Sequence, residues 1–351
     1  GNAYQDLTEF VLQDLGLYRY ENYLIDQQHR IFKNRVEIEQ YQLLVNLREQ
    51  LEQATTREDL IQITILLPES TANNKLGRRR ARLCNQLAYQ LERKNEPQLA
   101  FQLYSQNEMP PARERRVRLL EKQSDFAAAW ALLRNMQENP FNEEELQIAQ
   151  RIAPRLAKKL GQSIVKKTPS TIIEKNLELD QHYDNEGNLL SVEEVVRQHL
   201  HTDNIPCFYV ENILLSGLFG LWLWPEMFRG IDGAFANPFQ IAPLDMYQEN
   251  FARNRPGLQQ LWDLFDQGNH QQHIFNIWDK KYGTTNAFVS WSMLDKELIA
   301  TALDCIPAAH MKRIFERLLF DIKSNGSGLP DLIQFYPAEK NYRRIEVKGP
   351  A

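Results

Sequence analysis

Near the end of this chain an aspartate and a Glu-x-Lys triplet stand 15 residues apart: Asp331 opens Asp-Leu-Ile-Gln-Phe, and Glu346-Val-Lys348 closes a run that begins at Tyr342. Both stretches read as β-strands, in which successive side chains point to opposite faces. Glu346 and Lys348 then share one face, and Ile345 and Val347 the other. If the two strands pair as a hairpin, Asp331 lands beside Glu346, and two carboxylates and an ammonium meet at one spot. Hard divalent cations such as Mg2+ take oxygen ligands of that kind. Phosphodiester hydrolysis needs a metal, a water and a cation together. The bare spacing also suits an exposed charged hairpin, since such short patterns recur by chance. The frame favours a site: Gly326-Ser-Gly-Leu-Pro leads into Asp331, and Gly349-Pro350 ends the strand after the triplet.

The elements that must position these groups are mostly helical. From Pro206 onward an apolar helix, loops, further helices over Leu258–Phe265 and His310–Ile322 and the terminal hairpin predict an α/β domain. Upstream, residues 164–205 read as a connector with a strand or two around Ile164-Val165 and Ile172-Ile173, a polar turn at Asp184–Gly187, and a helix starting near Ser191, where Ser191-x-x-Glu194 forms a capping box. Residues 6–54 carry apolar residues near a 3.6 period, including Leu7, Phe10, Tyr41, Leu44, Leu47 and Leu51, and predict helices. Between them lies a repeat. Leu91-Glu-Arg-Lys-Asn-Glu-x-x-x-Ala100-Phe-x-Leu103 aligns with Leu120-Glu-Lys-Gln-Ser-Asp-x-x-x-Ala129-Trp-x-Leu132 at an offset of 29 residues. Each copy predicts a helix, a short polar turn and a second helix, the logic of a helical-hairpin solenoid of tetratricopeptide type. The expected fold is mainly α with a C-terminal α/β domain. Its parts are a helical N-terminal domain (1–75), a tetratricopeptide-like repeat domain (76–165), a connector (166–205) and a domain with a mixed sheet flanked by helices (206–351).

At 351 residues the chain should divide into two or three domains. Its 43% apolar and 25% charged residues are ordinary for a soluble globular protein. Cys84, Cys207 and Cys305 show neither a disulfide framework nor zinc spacing, which points to a reducing compartment. The longest apolar run, Ile213–Trp224, is too short to span a bilayer, and no signal peptide opens the chain. The start at Gly1-Asn2-Ala3 reads as a trimmed or engineered end. A net charge of −5 argues against uniform coating by nucleic acid. Three basic clusters nevertheless stand in the first half: Lys75, Arg78, Arg79, Arg80 and Arg82; then Arg113, Arg115, Arg116 and Arg118; then Arg155, Lys158, Lys159, Lys166 and Lys167. Any one of them suits a solvated helix face, and three together favour a surface that meets phosphates, with Arg78 and Arg80 as candidate DNA contacts. Tyr18, Tyr20 and Tyr23 with Arg19 suit either a nucleic-acid backbone or ordinary core and surface positions.

The terminal segment resembles the core of the virus-type replication-repair nuclease domain, a branch of the PD-(D/E)xK nucleases. In that domain a Gly-Leu-Pro-Asp-Leu strand precedes Glu-Val-Lys-Gly-Pro, and both strings stand here as Gly328–Leu332 and Glu346–Pro350. Residues 211–228, the Ala-Pro-Leu-Asp and Arg253-Asn-Arg255-Pro strings within 242–256, and Asp14–Glu21 look like the Fanconi-associated nuclease family. The resemblance implies a helix bearing a metal-binding glutamate nine residues before Gly220, which is Glu211. It implies that Glu211, Asp331, Glu346 and the main-chain carbonyl of Val347 hold one or two Mg2+ or Mn2+ ions, and that Lys348 orients water or stabilises the transition state. A basic pocket for a terminal phosphate is implied too, for which Arg113 and Arg116 are the candidates; arginine grips phosphate oxygens with a planar fork. The implied activity is a 5′-flap endonuclease and 5′-to-3′ exonuclease acting on flap or branched DNA in interstrand crosslink repair. It would work in the cytoplasm or nucleoid of a bacterium, or in the nucleus of a eukaryote, away from membranes. A further helix carrying a glutamine and a tryptophan is implied beyond Ala351.

Other constellations compete. His270-x-x-His273 and His199-x-His201 have ligand-like spacing but no carboxylate set in zinc-site order, and read as surface histidines. Leu221-Trp-Leu-Trp224 reads as core packing rather than a base-stacking platform. No phosphate loop of the P-loop type appears. The rival from another class is a catalytically silent scaffold that binds branched DNA or protein through its helical repeats.

Overall fold

Apolar residues at helical spacing build the first of two compact units, residues 26–170. The computed structural model describes residues 18–163, 172–249 and 251–349, together with residues 8, 11, 15 and 16. Expectations for Leu7, Phe10, Asp14, Ile164, Val165, Lys166, Lys167 and Pro350 lie outside the described residues. In this unit α1 spans Arg35–Gln53, α2 Arg57–Ile65, α3 Asn74–Arg93, α4 Pro97–Tyr104, α5 Ala112–Lys122, α6 Phe126–Glu138 and α7 Glu143–Leu160. Side-chain caps start most of them: Asn34, Thr56, Asn73, Asp125 and Asn142 each accept a hydrogen bond from the backbone of the first turn. Leu44, Leu47, Leu60, Leu76, Leu87, Leu91 and Leu103 form one core, and Val117, Leu133, Met136, Ile152 and Leu156 a second.

The 29-residue repeat is present in the backbone. Asn95 and Ser124, one repeat apart, both take a left-handed φ of 63°. Glu96 N–H donates to Leu91 O at 2.9 Å, and Asp125 N–H to Leu120 O at 3.0 Å. Inside these, Asn95 donates to Glu92 O at 3.1 Å and Ser124 to Glu121 O at 3.0 Å. This pair of nested bonds is the Schellman arrangement, which satisfies carbonyls left over at a helix end. Ala100 and Ala129, equivalent by the same offset, are fully buried.

The second unit joins residues 1–25 to residues 171–351. Its elements are α8 (Val192–Leu200), β1 (Cys207–Tyr209), α9 (Leu214–Met227), α10 (Leu258–Asp266), α11 (His270–Lys281), α12 (Lys296–Cys305), α13 (Ala308–Phe320), α14 (Ile322–Asn325), β2 (Leu332–Tyr336) and β3 (Asn341–Ile345). Among the described residues the sheet has three strands in the order β1-β2-β3, antiparallel throughout. The expected mixed sheet is not formed there. β1 follows α8 across a short turn and enters the sheet against β2, a pairing that needs no parallel crossover. Residues 172–190 contribute only a bridge, Tyr183 to Leu189. Ser191 caps α8 as expected, but the Glu194 carboxylate pairs with Arg197 and Gln198 instead of closing the capping box.

Residues 18–34 are not helical, against expectation. Tyr23 is buried, stacks on Phe235 with ring centroids 3.8 Å apart, and donates its hydroxyl to Asn237 O at 2.9 Å. The segment is held by these side chains, and Thr285 N–H donates to Arg19 O at 2.7 Å. Tyr23 and Tyr20 are thereby used in packing, whereas Tyr18 stays exposed.

α9 is apolar on every side and buried along almost its whole length, as a helix at the centre of a core must be. Trp222 and Trp224 are core residues, with their indole N–H groups donating to Leu261 O and Glu21 Oε2. Gly217 and Gly220 admit the chain around residues 286–294: a Cβ on Gly217 would lie 2.6 Å from Leu294 Cδ2, and one on Gly220 2.6 Å from Phe288 Cβ. Leu294 can give at its methyl, whereas Phe288 Cβ moves only with its backbone. Gly220→Ala should therefore destabilise the protein by about 1–3 kcal/mol, the usual cost of an overpacked core. Thermal unfolding checks this; a melting temperature equal to that of the parent would show the contact to be soft.

Candidate active site

The strand register decides which acids meet. Leu332 pairs with Ile345 and with Tyr209. Continued one step beyond the last pair, that register sets Asp331 opposite Glu346, and Val210 N–H donates to Asp331 O at 2.9 Å. Because the strands are antiparallel, the end of β1, the start of β2 and the end of β3 lie along one rim of the sheet. Glu211 is one residue beyond Val210. Leu332, Ile345 and Val347 pack with Val196 and Cys207 on one face, while Ile333 and Phe335 enter the main core on the other. Alternation then sets Asp331, Glu346 and Lys348 on the face opposite Ile345 and Val347, and the Lys348 ammonium lies 2.8 Å from Glu346 Oε1.

Glu211 does not come from a helix, as the resemblance implied. It sits in the turn between β1 and α9, and Asn212 takes a left-handed φ of 55° to make that turn. Its Oε2 accepts the Tyr209 hydroxyl at 2.5 Å. Asp331 Oδ2 accepts the Val347 N–H at 2.8 Å, tying the start of β2 to the chain after β3. Each carboxylate thus has its own proton donor. Among the described residues no group of three His, Cys, Asp or Glu side chains could hold a metal ion. The expected convergence exists in the backbone register and not in the carboxyl groups. The donors themselves fit a hard divalent cation, being carboxylate and main-chain oxygens. Electrostatics reports the crowding of charge. The Tyr209 hydroxyl is pushed up to about 12, first by its bond to Glu211, then by burial and by the charges of Glu211, Glu193 and Asp331. Glu346, through its hydrogen bond and then its charge, raises the Lys348 ammonium above its ordinary range, and Asp331 adds to this. Tyr209 and Glu193 were not singled out in the sequence. Tyr209 ends β1 two residues before Glu211, close enough for its hydroxyl to reach that carboxylate across the turn.

The arginines expected at phosphates divide differently. Arg113 is a correction. It is only 3% exposed, forks onto Glu145 through Nε and Nη2 at 3.0 and 2.5 Å, and also donates to Asn135 Oδ1 and Asn139 O. That network joins α5 to α6 and α7 and leaves its fork nothing to offer a ligand. Arg80 donates to Pro68 O and Gln106 Oε1, bracing two loops. Arg78 is half-buried with an interaction of its own. Arg116 lies over the Phe101 ring, and its buried Nε has no partner. Burial lowers its pKa first, with the neighbouring Arg113 adding to the effect.

Asp331, Glu346 and Lys348 of the rim lie within residues 266–351, which the model of the VRR-NUC domain matches. The chain is 40% identical over 351 residues, all of its length, to the Fanconi-associated nuclease 1 homolog of Pseudomonas aeruginosa, of which it spans 62%. Against the Fanconi-associated nuclease 1 homolog of Schizosaccharomyces pombe it is 29% identical over 166 residues, 46% of this chain and 24% of that protein. A crystal structure of paFAN1 bound to DNA with a 2-nt 5′ flap and a gap superposes with a TM-score of 0.66 at 39% identity, covering 98% of this chain and 62% of that one. The chain is a homologue of the bacterial Fanconi-associated nuclease and spans about three fifths of its length.

The strings Ala-Pro-Leu-Asp245 and Arg253-Asn-Arg255 prove structural: Arg255 forks onto Asp245 at 2.8 and 3.0 Å, buried over the Phe251 ring. His270 and His273 are neither a metal pair nor surface residues. His270 is buried and stacked on Phe265, and His273 Nε2 contacts Trp222 O at 3.0 Å. Burial holds both imidazoles below their ordinary 6.5. A group whose folded pKa is depressed contributes stability that is present above the unfolded value and lost as pH falls through the folded one. The melting temperature should therefore drop as pH is lowered below about 6.5, before most carboxylates titrate. His270→Phe should flatten that drop, and an identical pH profile for parent and variant would remove His270 as its cause.

Proposed function

We propose that this chain carries the hydrolytic part of a structure-specific, metal-dependent DNA nuclease that cuts 5′ flaps and resects 5′ to 3′ in interstrand crosslink repair. The observation that carries this reading is the register that sets Asp331 opposite Glu346, with Lys348 on the same face. It falls within the residues matched by the VRR-NUC domain. The flap substrate is supported by the relative crystallised on DNA with a 2-nt 5′ flap.

Asp331, Glu346, the main-chain carbonyl of Val347 and Glu211 would hold Mg2+ or Mn2+, as one or two ions. Such a cation, when bound, lowers the pKa of water and offsets charge on the scissile phosphate. The chain's own residues do the positioning. Asp331 fixes the Val347 main chain through its hydrogen bond, so the ligands on β2 and after β3 keep one spacing. Tyr209 holds Glu211 at the turn before α9. Lys348, kept charged by Glu346, supplies a cation where the phosphate gathers negative charge, or orients the attacking water. Of the pair assigned to a terminal phosphate, Arg116 retains the unsatisfied donor. The helical hairpins of residues 76–165, read as tetratricopeptide-like, would present such groups to DNA, with Arg78 beside them. Contacts of this kind are to phosphates, so sequence preference is slight.

Asp331→Asn keeps an acceptor for the Val347 N–H and removes the charge. Cleavage of a 5′-flap duplex in Mg2+ or Mn2+ should fall by about two to three orders of magnitude, the scale for losing one group that stabilises transition-state charge, with an unchanged melting temperature. Activity within tenfold of the parent would reject the assignment, and flap binding without cleavage by the parent itself would favour the scaffold reading.

A further inference from the structure

Four cations of the unit formed by residues 26–170 line a trough between α1 and α3: Arg48, Lys75, Arg79 and Arg82. The trough encloses about 240 Å3, is floored by Tyr41, Leu44 and Leu83, and has no acidic side chain in its lining. Lys75, Arg79 and Arg82 recur at four and three residues along α3, so they share one helix face. Tyr41, Leu44 and Arg48 do the same on α1.

Tyr41 organises the charges. The Arg79 guanidinium lies 4.3 Å and the Lys75 ammonium 5.6 Å from its ring centroid, and Lys75 is also 5.5 Å from Phe32. Cation–π contacts hold these heads without neutralising them. Lys75, Arg79 and Arg82 make no ion pair among the described residues; Arg48 alone has one, an exposed contact to Glu52 at 3.2 Å, which is weak in solvent. The other basic groove, beside α5 and α7, behaves differently. Its arginines are each neutralised: Arg115 by Glu92, Arg118 by Glu114 and Arg155 by Glu121. An incoming anion there must displace a carboxylate, and in the α1–α3 trough it need not.

We propose that the α1–α3 trough is a binding site for the phosphodiester backbone of DNA, separate from the metal-site residues and indifferent to sequence. Lys75 and Arg82, seven residues apart, are about 10 Å apart along the helix axis, and a duplex strand carries one charge per about 3.4 Å. Measured along the duplex axis, the row therefore spans about three steps of one strand's charge. The ring of Tyr41 is already in contact with two cations, so the site takes phosphates rather than stacked bases. This assignment rests on the reading of DNA as substrate and is independent of the catalytic rim.

Equilibrium binding of the whole chain to a fluorescent 5′-flap duplex, in EDTA across a salt series, tests it. Lys75→Gln with Arg82→Gln alters two exposed side chains. The double variant should bind about 5- to 30-fold more weakly at low salt, with a log–log salt slope shallower by about two, close to 0.9 per lost contact. The loss should be equal on a plain duplex of unrelated sequence. Arg118→Gln with Lys122→Gln, in the other groove, should change neither quantity. Parent affinity and slope in the Lys75/Arg82 variant, at an unchanged melting temperature, would overturn the proposal. So would unchanged DNA binding with lost binding of polyglutamate, which would assign the trough to an acidic protein segment. Failure of Asp331→Asn to lose cleavage would count against the catalytic rim alone, since that variant should bind DNA like the parent.

Discussion

One strand, β2, fixes the geometry of the whole candidate site. It is hydrogen-bonded on both sides and covered on both faces: Leu332, Ile333 and Phe335 are completely buried. Gln334, between them, is satisfied by Leu200 O and the Tyr336 hydroxyl. A strand confined in this way has one register, because a slip by a single residue would exchange its two faces. Leu332 would turn toward the main core, and Asp331 would leave Glu346. Hydrophobic burial in the middle of the strand thus sets the position of a charged group at its edge.

The terminal hairpin was legible because it meets a simple rule: strands of alternating character, joined by a short turn, face each other residue for residue. The helical repeat was legible for the same reason, and the two equal backbone angles at Asn95 and Ser124 show that the alignment of letters is an alignment of conformations. β1 escaped notice because three residues cannot display a period. The resemblance put Glu211 on a helix, although it stands in the turn before one. Residues 18–34 carry aromatics and the aliphatics Leu24, Ile25 and Ile31, but Tyr23 and Tyr20 are drawn into tertiary contacts with Phe235 and Phe239, and packing overrides local pattern.

Charge was the least legible property. Arg113, Arg115, Arg116 and Arg118 look alike in sequence, yet one is buried in an ion pair with Glu145, two are matched by glutamates and one has an orphaned nitrogen. The partner of Arg113 lies 32 residues away, and no local pattern announces it. The Asp245–Arg255 pair teaches the converse: a string shared with a family can mark a buried brace rather than a reacting group. A fork of this kind, cut off from water, is costly to break from either side, so shared strings of this type report architecture.

The two repeat copies of the first unit share a turn, a buried alanine and an offset of 29 residues. Each copy closes its first helix with its own pair of nested bonds, so the carbonyls at that helix end are satisfied from within the hairpin.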